Sequence, residues 1–106
     1  MPLLVRWPGK VTPGTTTDAM VSLVDLLPTF IEAVGGTSPE GLDGRSFLPV
    51  LLGKADSHRA FVFATHTGDV DMNRSPMRMI RTERYKYILN LAPEIRYTTH
   101  MTRMKG

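Results

Sequence analysis

The sequence predicts a small α/β protein in which a buried strand and two helices precede an antiparallel sheet, an α+β arrangement. A short apolar run opens the chain, two segments with helix signals follow it, and aromatic or β-branched runs fill the part after residue 59. With 106 residues the chain has the length of one domain. We expect a thin core, because chains of this size bury only roughly 60–70% of the surface that they expose when unfolded.

The opening run, Pro2 to Trp7, is nearly continuously apolar and ends at the turn sequence PGK. Such runs are typical of strands that are buried on both faces, as in a parallel sheet. The segment Lys10 to Asp18, rich in Thr, Pro and Gly, then predicts a loop. Because the chain opens on a strand and residues 92–106 show no periodicity, we expect it to be a fragment of a larger fold.

A helix is predicted over Leu26 to Val34 in spite of a proline inside it. Asp25 is a good N-cap residue, which places Pro28 at the third helical position, where a missing N–H costs little. Gly35 and Gly36 supply a left-handed stop. The apolar residues that share one face of this helix are Leu27, Phe30, Ile31 and Val34.

The segment Ser46 to Gly53 repeats the same pattern on a shorter scale. Ser46 is the predicted cap, Pro49 falls again at the third position, and Gly53 ends the helix. The connection between the two helices, residues 35–44, is rich in turn-forming residues.

Three strands are predicted in the second half of the chain. Ala60 to Gly68 has the aromatic and β-branched content of a strand. Met77 to Leu91 divides into two alternating halves around Thr82 to Arg84, as in a hairpin. A polar loop, Asp69 to Pro76, connects the first strand to this hairpin.

The charge balance is mildly basic, with 13 Lys and Arg against 10 Asp and Glu and a net charge of +3. Much of the excess lies late in the chain, which suits an anionic partner such as a sulfated sugar, a nucleic acid or a membrane surface; the plainer interpretation is a solvated charged face. The absence of Cys excludes disulfides and thiolate metal sites. No apolar run approaches the roughly 18 residues of a membrane helix, and we expect no signal peptide in the opening stretch.

The polar stretch THTGDVDMNR, Thr65 to Arg74, is the best candidate for a binding site because it directly follows a predicted strand. Its D-V-D-M-N run resembles the start of a calcium loop but lacks the Gly and the closing Glu of that motif. For its acidic and amide residues, ligand contact and a solvated turn remain alternatives. His66 is more simply a satisfied polar residue than a metal ligand, since no second ligand lies at a ligand spacing.

Arg45 and the tyrosines allow both a binding and a structural interpretation. Arg45 adjoins a helix start, so it binds an anion or pairs with Asp43 or another carboxylate, and the structural role is favoured. Tyr85 and Tyr87 have basic neighbours that would suit base stacking, but alternation on a half-buried strand explains them more simply. The sequence contains no nucleophile motif and no recognised nucleic-acid-binding module.

Several stretches resemble the sulfatase family, of the alkaline phosphatase-like superfamily. VDLLPT followed by LDGRSFLP is its most specific mark, within stretches 2–36 and 41–53 that are similar to the family's late parallel strand, loop, helix and next segment. MRMIRTERYKYILNL, residues 77–91, resembles the strands of the smaller C-terminal sheet. Within the family, residues 65–91 look closest to heparan N-sulfatase (sulfamidase)-like members.

The resemblance implies that residues 1–58 are the end of an alkaline phosphatase-like α/β domain and residues 59–106 part of a truncated antiparallel subdomain. It also implies that the intact enzyme hydrolyses a sulfuric ester or sulfamate of a sulfated carbohydrate, in the periplasm or outside the cell. In the family, a formylglycine made from Cys or Ser of a C/S-x-P-S-R motif is the nucleophile. A calcium ion and cationic side chains stabilise the charged oxygens.

None of that machinery falls on this chain, because it has no Cys and no Ser in an S-x-P-S-R motif. The family's calcium ligands normally precede the strand at which the chain begins. We therefore assign it no catalytic residue, no metal ligand and no cofactor of its own, and expect it to be inactive alone. The residues predicted to contact sugar or sulfate are His66, Asp71, Arg74 and Arg78.

A second hypothesis is a stand-alone basic module that binds anionic, sulfated polysaccharide through the C-terminal half of the chain. Nucleic acid and membrane are not expected as partners. Self-association of the fragment is expected, because a buried parallel strand without its neighbours exposes an apolar edge.

Overall fold

Helices lie in the first half of the chain and an antiparallel sheet in the second. The computed structural model describes residues 2–68 and 75–95, in two units, Met1–Ala60 and Phe61–Gly106. This arrangement confirms the predicted fold class. No helix in the described part of the chain has the length and apolar character needed to cross a membrane.

Helix α1, Leu26–Ala33, follows directly on a 3-10 turn, Leu23–Asp25. The predicted stop is confirmed: Gly35 has a φ of 79°, its N–H bonds the Glu32 carbonyl at 2.9 Å, and the Gly36 N–H bonds the Ile31 carbonyl at 2.8 Å. This pair of bonds is a Schellman motif, which satisfies the last carbonyls of the helix. The helix therefore ends within one residue of the predicted boundary.

The predicted apolar face of α1 is largely exposed. Leu27 is 55%, Phe30 63% and Val34 86% exposed, whereas the buried residues of the helix are Pro28 and Thr29. The stripe stays open because the described part of this unit offers only a short second helix and an extended segment to cover α1. The buried side of α1 is its partly polar one.

The segment Pro2 to Trp7 does not form the predicted strand. A strand requires a hydrogen-bonded neighbour, and no segment among residues 2–68 and 75–95 pairs with it. Leu4, in the middle of the segment, is 91% exposed. The apolar composition that predicted a buried strand is present, but residues 2–68 and 75–95 supply no partner strand for it.

Helix α2, Leu48–Leu51, begins later than predicted. Phe47 is its N-cap, so Pro49 stands at the second helical position and not the third. Ser46 nevertheless makes a bond typical of a cap: its Oγ accepts a hydrogen bond from the backbone N–H of Leu48 at 3.1 Å. Gly53, with a φ of 65°, ends the helix as predicted.

The second unit is a three-stranded antiparallel sheet in the order β1-β2-β3. The strands are β1, Phe61–His66, β2, Met77–Thr82, and β3, Lys86–Asn90, so the predicted strand and hairpin are confirmed. All of β3 is exposed, and Tyr85 and Tyr87 are 68% and 63% exposed. The half-buried strand predicted for these tyrosines is therefore wrong, because nothing in the described part of the chain covers β3.

The apolar core is small, as the chain length predicts. Besides Pro28, the buried apolar residues of the described chain are Phe47 and Leu48 in the first unit and Ala92 in the second. The most deeply buried side chains are polar: Asp25, Thr29 and Ser75 are at most 2% exposed. Within the described part of the chain, the deepest burial is therefore that of polar side chains, of which Asp25 and Thr29 are hydrogen-bonded.

Candidate functional site

The register of the sheet separates two of the predicted substrate-binding residues. Thr65 lies opposite Arg78, and His66 lies opposite Met77. Because successive side chains of a strand point to opposite faces, His66 and Arg78 project from opposite faces of the sheet. The structure places the two residues at the same end of the sheet but does not bring their side chains together.

Arg78 is exposed and leans along the end of the sheet. Its Nη1 donates to the carbonyl of Met77 at 3.0 Å and to that of His66 at 3.5 Å, the latter at the limit of a hydrogen bond. Both acceptors are backbone carbonyls, so the charge of the guanidinium is not neutralised by them. No carboxylate among the described residues pairs with Arg78, so anion binding by its guanidinium stays a prediction.

Asp71 and Arg74, the other two predicted contacts, lie outside the described residues, as does the D-V-D-M-N run. Their roles stay predictions. His66 and Arg78 stand on the two strands that flank this loop in the sequence.

A second cluster of charged groups lies at the start of α1, and the sequence did not indicate it. Asp25 is fully buried, and its two carboxylate oxygens accept hydrogen bonds from four residues. We call this group the Asp25 cluster: it consists of Asp25 with Ser22, Arg45, His58 and Arg59. The donors stand up to 34 residues away in sequence, so no local spacing pointed to them.

The geometry within the Asp25 cluster is that of a saturated carboxylate. Arg59 binds it with two groups, Nε to Oδ2 at 2.7 Å and Nη2 to Oδ1. The backbone N–H of Ser22 reaches Oδ2 at 2.9 Å, and that of Arg45 reaches Oδ1 at 3.0 Å. His58 Nε2 lies 3.2 Å from Oδ2. Such pairing is what allows a charge to be fully buried.

The electrostatics follow from this geometry. Burial by itself raises the pKa of Asp25, but the hydrogen bonds from Arg59, Arg45 and Ser22 and the charge of Arg59 outweigh it, so the pKa is lowered well below its usual range. The bond to Asp25 raises the pKa of Arg59. Burial lowers the pKa of His58, which the contact with Asp25 opposes only in part.

Arg45 has the structural role that its position favoured, but through a different group. Its backbone N–H, not its guanidinium, bonds Asp25, and its side chain is exposed. Among the described residues the ion pairs are those of Asp25 with Arg59 and His58, so the pairing expected with Asp43 is absent there. Asp43 contributes instead its carbonyl, which Arg59 Nη2 contacts at 3.3 Å.

The described residues do not fit the groups that the family resemblance implies. No three His, Asp or Glu side chains among residues 2–68 and 75–95 are placed to hold a metal ion. The carboxylate oxygens of Asp25 already accept hydrogen bonds from cationic side chains and backbone N–H groups, which would compete with a metal ion for them. With no Cys and no Ser in the required motif, the chain also offers no precursor for formylglycine.

The first unit also contains an apolar groove of about 380 Å³ between residues 3–7 and the two helices. Trp7, Phe30 and Leu51 are among the residues that line it. Its surface is suited to apolar side chains and not to sulfate.

Comparison with known proteins places most of the chain in one family. The model of the family "N-sulphoglucosamine sulphohydrolase, C-terminal" matches residues 1–98. An ulvan-active sulfatase from Formosa agariphila is 44% identical over 92 residues, which cover 85% of this chain and 18% of that protein. Arylsulfatase G from Mus musculus is 32% identical over 88 residues, which cover 81% of this chain and 16% of that protein.

A solved structure agrees with these sequence matches. The structure of a 2-O GAG sulfatase shares 32% identity and a TM-score of 0.55 with this chain, over 63% of this chain and 15% of that one. The chain therefore spans less than a fifth of the length of the relatives that it matches.

Proposed function

The chain belongs to the sulfatase family, as its C-terminal portion, and on this premise we propose that the whole protein hydrolyses a sulfate ester or sulfamate of a sulfated carbohydrate. The match of the family model over residues 1–98 carries this proposal. The carbohydrate class is supported by the relatives, whose names specify ulvan and a GAG. On this proposal the whole protein acts in the periplasm or outside the cell, because that is where it would encounter such polymers.

The part assigned to this chain is substrate contact and not chemistry. Formylglycine and calcium would be supplied by another part of the whole protein, since the described residues do not fit them. Arg78 presents an exposed guanidinium beside the loop that contains Asp71 and Arg74. A guanidinium of this kind binds the oxygens of a sulfate group through charge-assisted hydrogen bonds.

The proposal leaves two kinds of bond that the whole protein could hydrolyse, a sulfate ester or a sulfamate. The name of the family model specifies N-sulphoglucosamine, whereas a relative that is 44% identical to this chain is named for ulvan. We favour a sulfamidase-like activity because residues 65–91 resemble that branch. Release of sulfate from N-sulfated and O-sulfated oligosaccharides of matched length distinguishes the two.

The test begins with the coding region around this chain, sequenced in both directions and expressed as it is found. We expect an in-frame C/S-x-P-S-R motif and sulfate release from heparin-derived or ulvan oligosaccharides, measured by ion chromatography. The purified 106-residue chain should release none. Absence of the motif together with absence of sulfate release from every substrate would contradict the proposal.

Arg78→Ala in the whole protein tests the contact assigned to this chain. One charge-assisted hydrogen bond is worth about 1.5–3 kcal/mol when it is buried and less at an exposed position, so we expect KM to rise about tenfold with kcat nearly unchanged. Arg81→Ala is the matched control, because Arg81 is also exposed on β2 but points to the opposite face. Equal kinetics for the two variants would remove Arg78 from the substrate site.

A stand-alone polysaccharide-binding module is the second candidate. The exposed basic residues of the sheet favour it, with Arg81 placed directly opposite Lys86 on β3. A folded 106-residue chain whose heparin affinity falls steeply with salt would support this function. Binding that does not depend on salt would contradict it, since attraction between exposed charges is screened.

A further inference from the structure

The Asp25 cluster joins three separate parts of the first unit. Ser22 and Asp25 belong to the start of the helical segment, Arg45 to the connection between the helices, and His58 and Arg59 to the connection 54–60. This last connection forms no helix or strand. The side chains of His58 and Arg59 tie it to the carboxylate of Asp25.

His58 is the one group of this cluster that exchanges a proton near neutral pH. Its side chain is 6% exposed, and the ring meets Phe47 edge-on at 6.0 Å between centroids. The charged groups around it are Asp25 at 3.2 Å and the cations Arg45 and Arg59. A protonated His58 would be a second cation, beside Arg59, on one buried carboxylate.

We propose that His58, Arg59 and Asp25 form an acid-opened latch, in which uptake of one proton by His58 releases the connection 54–60 from the start of α1. In the closed form the neutral ring donates from Nε2 to Asp25, and Nδ1 has no proton. Protonation at Nδ1 creates a charge that the buried site disfavours. In the open form water solvates the imidazolium, so acid favours opening.

The direction of the effect follows from the pKa of His58. Burial, with the charges of Arg45 and Arg59, lowers it below the ordinary value of 6.5, and the open form regains that value. Between the lowered pKa and 6.5 the open form holds more protons than the closed form. The opening equilibrium therefore rises by up to about tenfold for each unit of pH below 6.5. Above 6.5 it does not depend on this group.

Hydrogen exchange of two backbone amides reports the latch directly. The N–H of Arg45 bonds Asp25 Oδ1, and the N–H of Phe47, whose ring packs against His58, bonds Thr29 Oγ1 at 3.0 Å, so we expect both amides to lose protection when the latch opens. Protection factors are measured by NMR on the full chain between pH 7.5 and 5 and corrected for the intrinsic rate. We expect protection to fall up to about tenfold per pH unit below 6.5.

His58→Gln keeps a side-chain donor for Asp25 but cannot take up a proton, so its protection should be flat down to pH 5. His66→Gln is the matched control, because it removes a histidine of the second unit. In this variant the protection of the two amides should still fall as the pH is lowered. The proposal is overturned if amide protection still falls below pH 6.5 in His58→Gln, or if it no longer falls in His66→Gln.

Direct NMR titration of the His58 ring in the unaltered chain covers the case in which His58→Gln does not fold. The ring should titrate below pH 6.5, over the same range in which the two amides lose protection. A ring that titrates at or above 6.5 overturns the proposal. Amides without protection at pH 7.5 overturn it as well, since no closed form would then exist.

Discussion

At the scale of single residues, Asp25 has a different role from the one that its position suggested. A helix-capping Asp normally bonds N–H groups of its own helix. Here the side chain makes no bond to the first turn of α1 and accepts instead from Ser22, Arg45, His58 and Arg59. A local cap has become the point at which three chain segments meet.

Arg59→Met should destabilise the first unit strongly. It removes the one cation bonded to both oxygens of a fully buried carboxylate, and breaking such a pair costs about 3–5 kcal/mol because the remaining charge is left uncompensated. Urea unfolding followed by the fluorescence of Trp7 measures the loss.

Arg45→Met is the matched control for this substitution. Arg45 contributes only its backbone N–H to the cluster, which the substitution retains, so the change in the free energy of unfolding should stay within about 0.5 kcal/mol. Equal effects of the two variants would show that the buried ion pair does not stabilise the unit.

At the scale of elements, α1 contains a proline beyond its first turn when the preceding 3-10 turn is included. Pro28 offers no N–H to the carbonyl of Val24, four residues before it. Gly44 packs against this carbonyl so closely that a Cβ built on it would lie 1.8 Å from the oxygen. Pro28 thus leaves the Val24 carbonyl without a helical N–H, and Gly44 packs directly against the same carbonyl.

Gly44→Ala should lower the stability of the first unit by about 1–3 kcal/mol, because backbone on both sides of the contact must move. Gly36→Ala is the comparison: its Cβ would meet Ile31 Cγ2 at 2.9 Å and the Ile31 carbonyl oxygen at 3.1 Å, a much less severe overlap than that at Gly44, so the loss should be smaller. Thermal unfolding by circular dichroism ranks the two variants. A larger loss for Gly36→Ala would contradict the packing described for Gly44.

At the scale of the whole molecule, the described chain exposes much of its apolar surface. Leu4 is 91% exposed, and Phe30 and Val34 leave one side of α1 open to solvent. Exposed apolar surfaces of this size are typical of interaction sites or lead to aggregation. The chain has only 15–18% of the length of the three sulfatases compared with it above.

We therefore expect the 106-residue chain to associate with itself as its concentration rises. Phe30→Lys combined with Val34→Lys should shift the average mass in sedimentation velocity towards the 11.8 kDa of one chain. Glu32→Lys, at an exposed position of the same helix, changes the net charge by the same amount without removing apolar surface. If it acts equally, charge and not the apolar face controls the association.

Local patterns in the sequence determined the two helices, the three strands and the family. Cap residues, stop glycines and alternation act over a few residues, so Gly35, Gly53 and the hairpin around Thr82 to Arg84 were predictable. The family followed from VDLLPT and LDGRSFLP in their order along the chain.

Only the tertiary structure decided what depends on contacts between distant residues. The partners of Asp25 stand up to 34 positions away, and Pro2 to Trp7 remains unpaired within the described chain because strand formation needs a second strand. The register placed His66 and Arg78 on opposite faces of the sheet. Burial and pairing are set by the whole fold, and for that reason the composition of a segment could not reveal them.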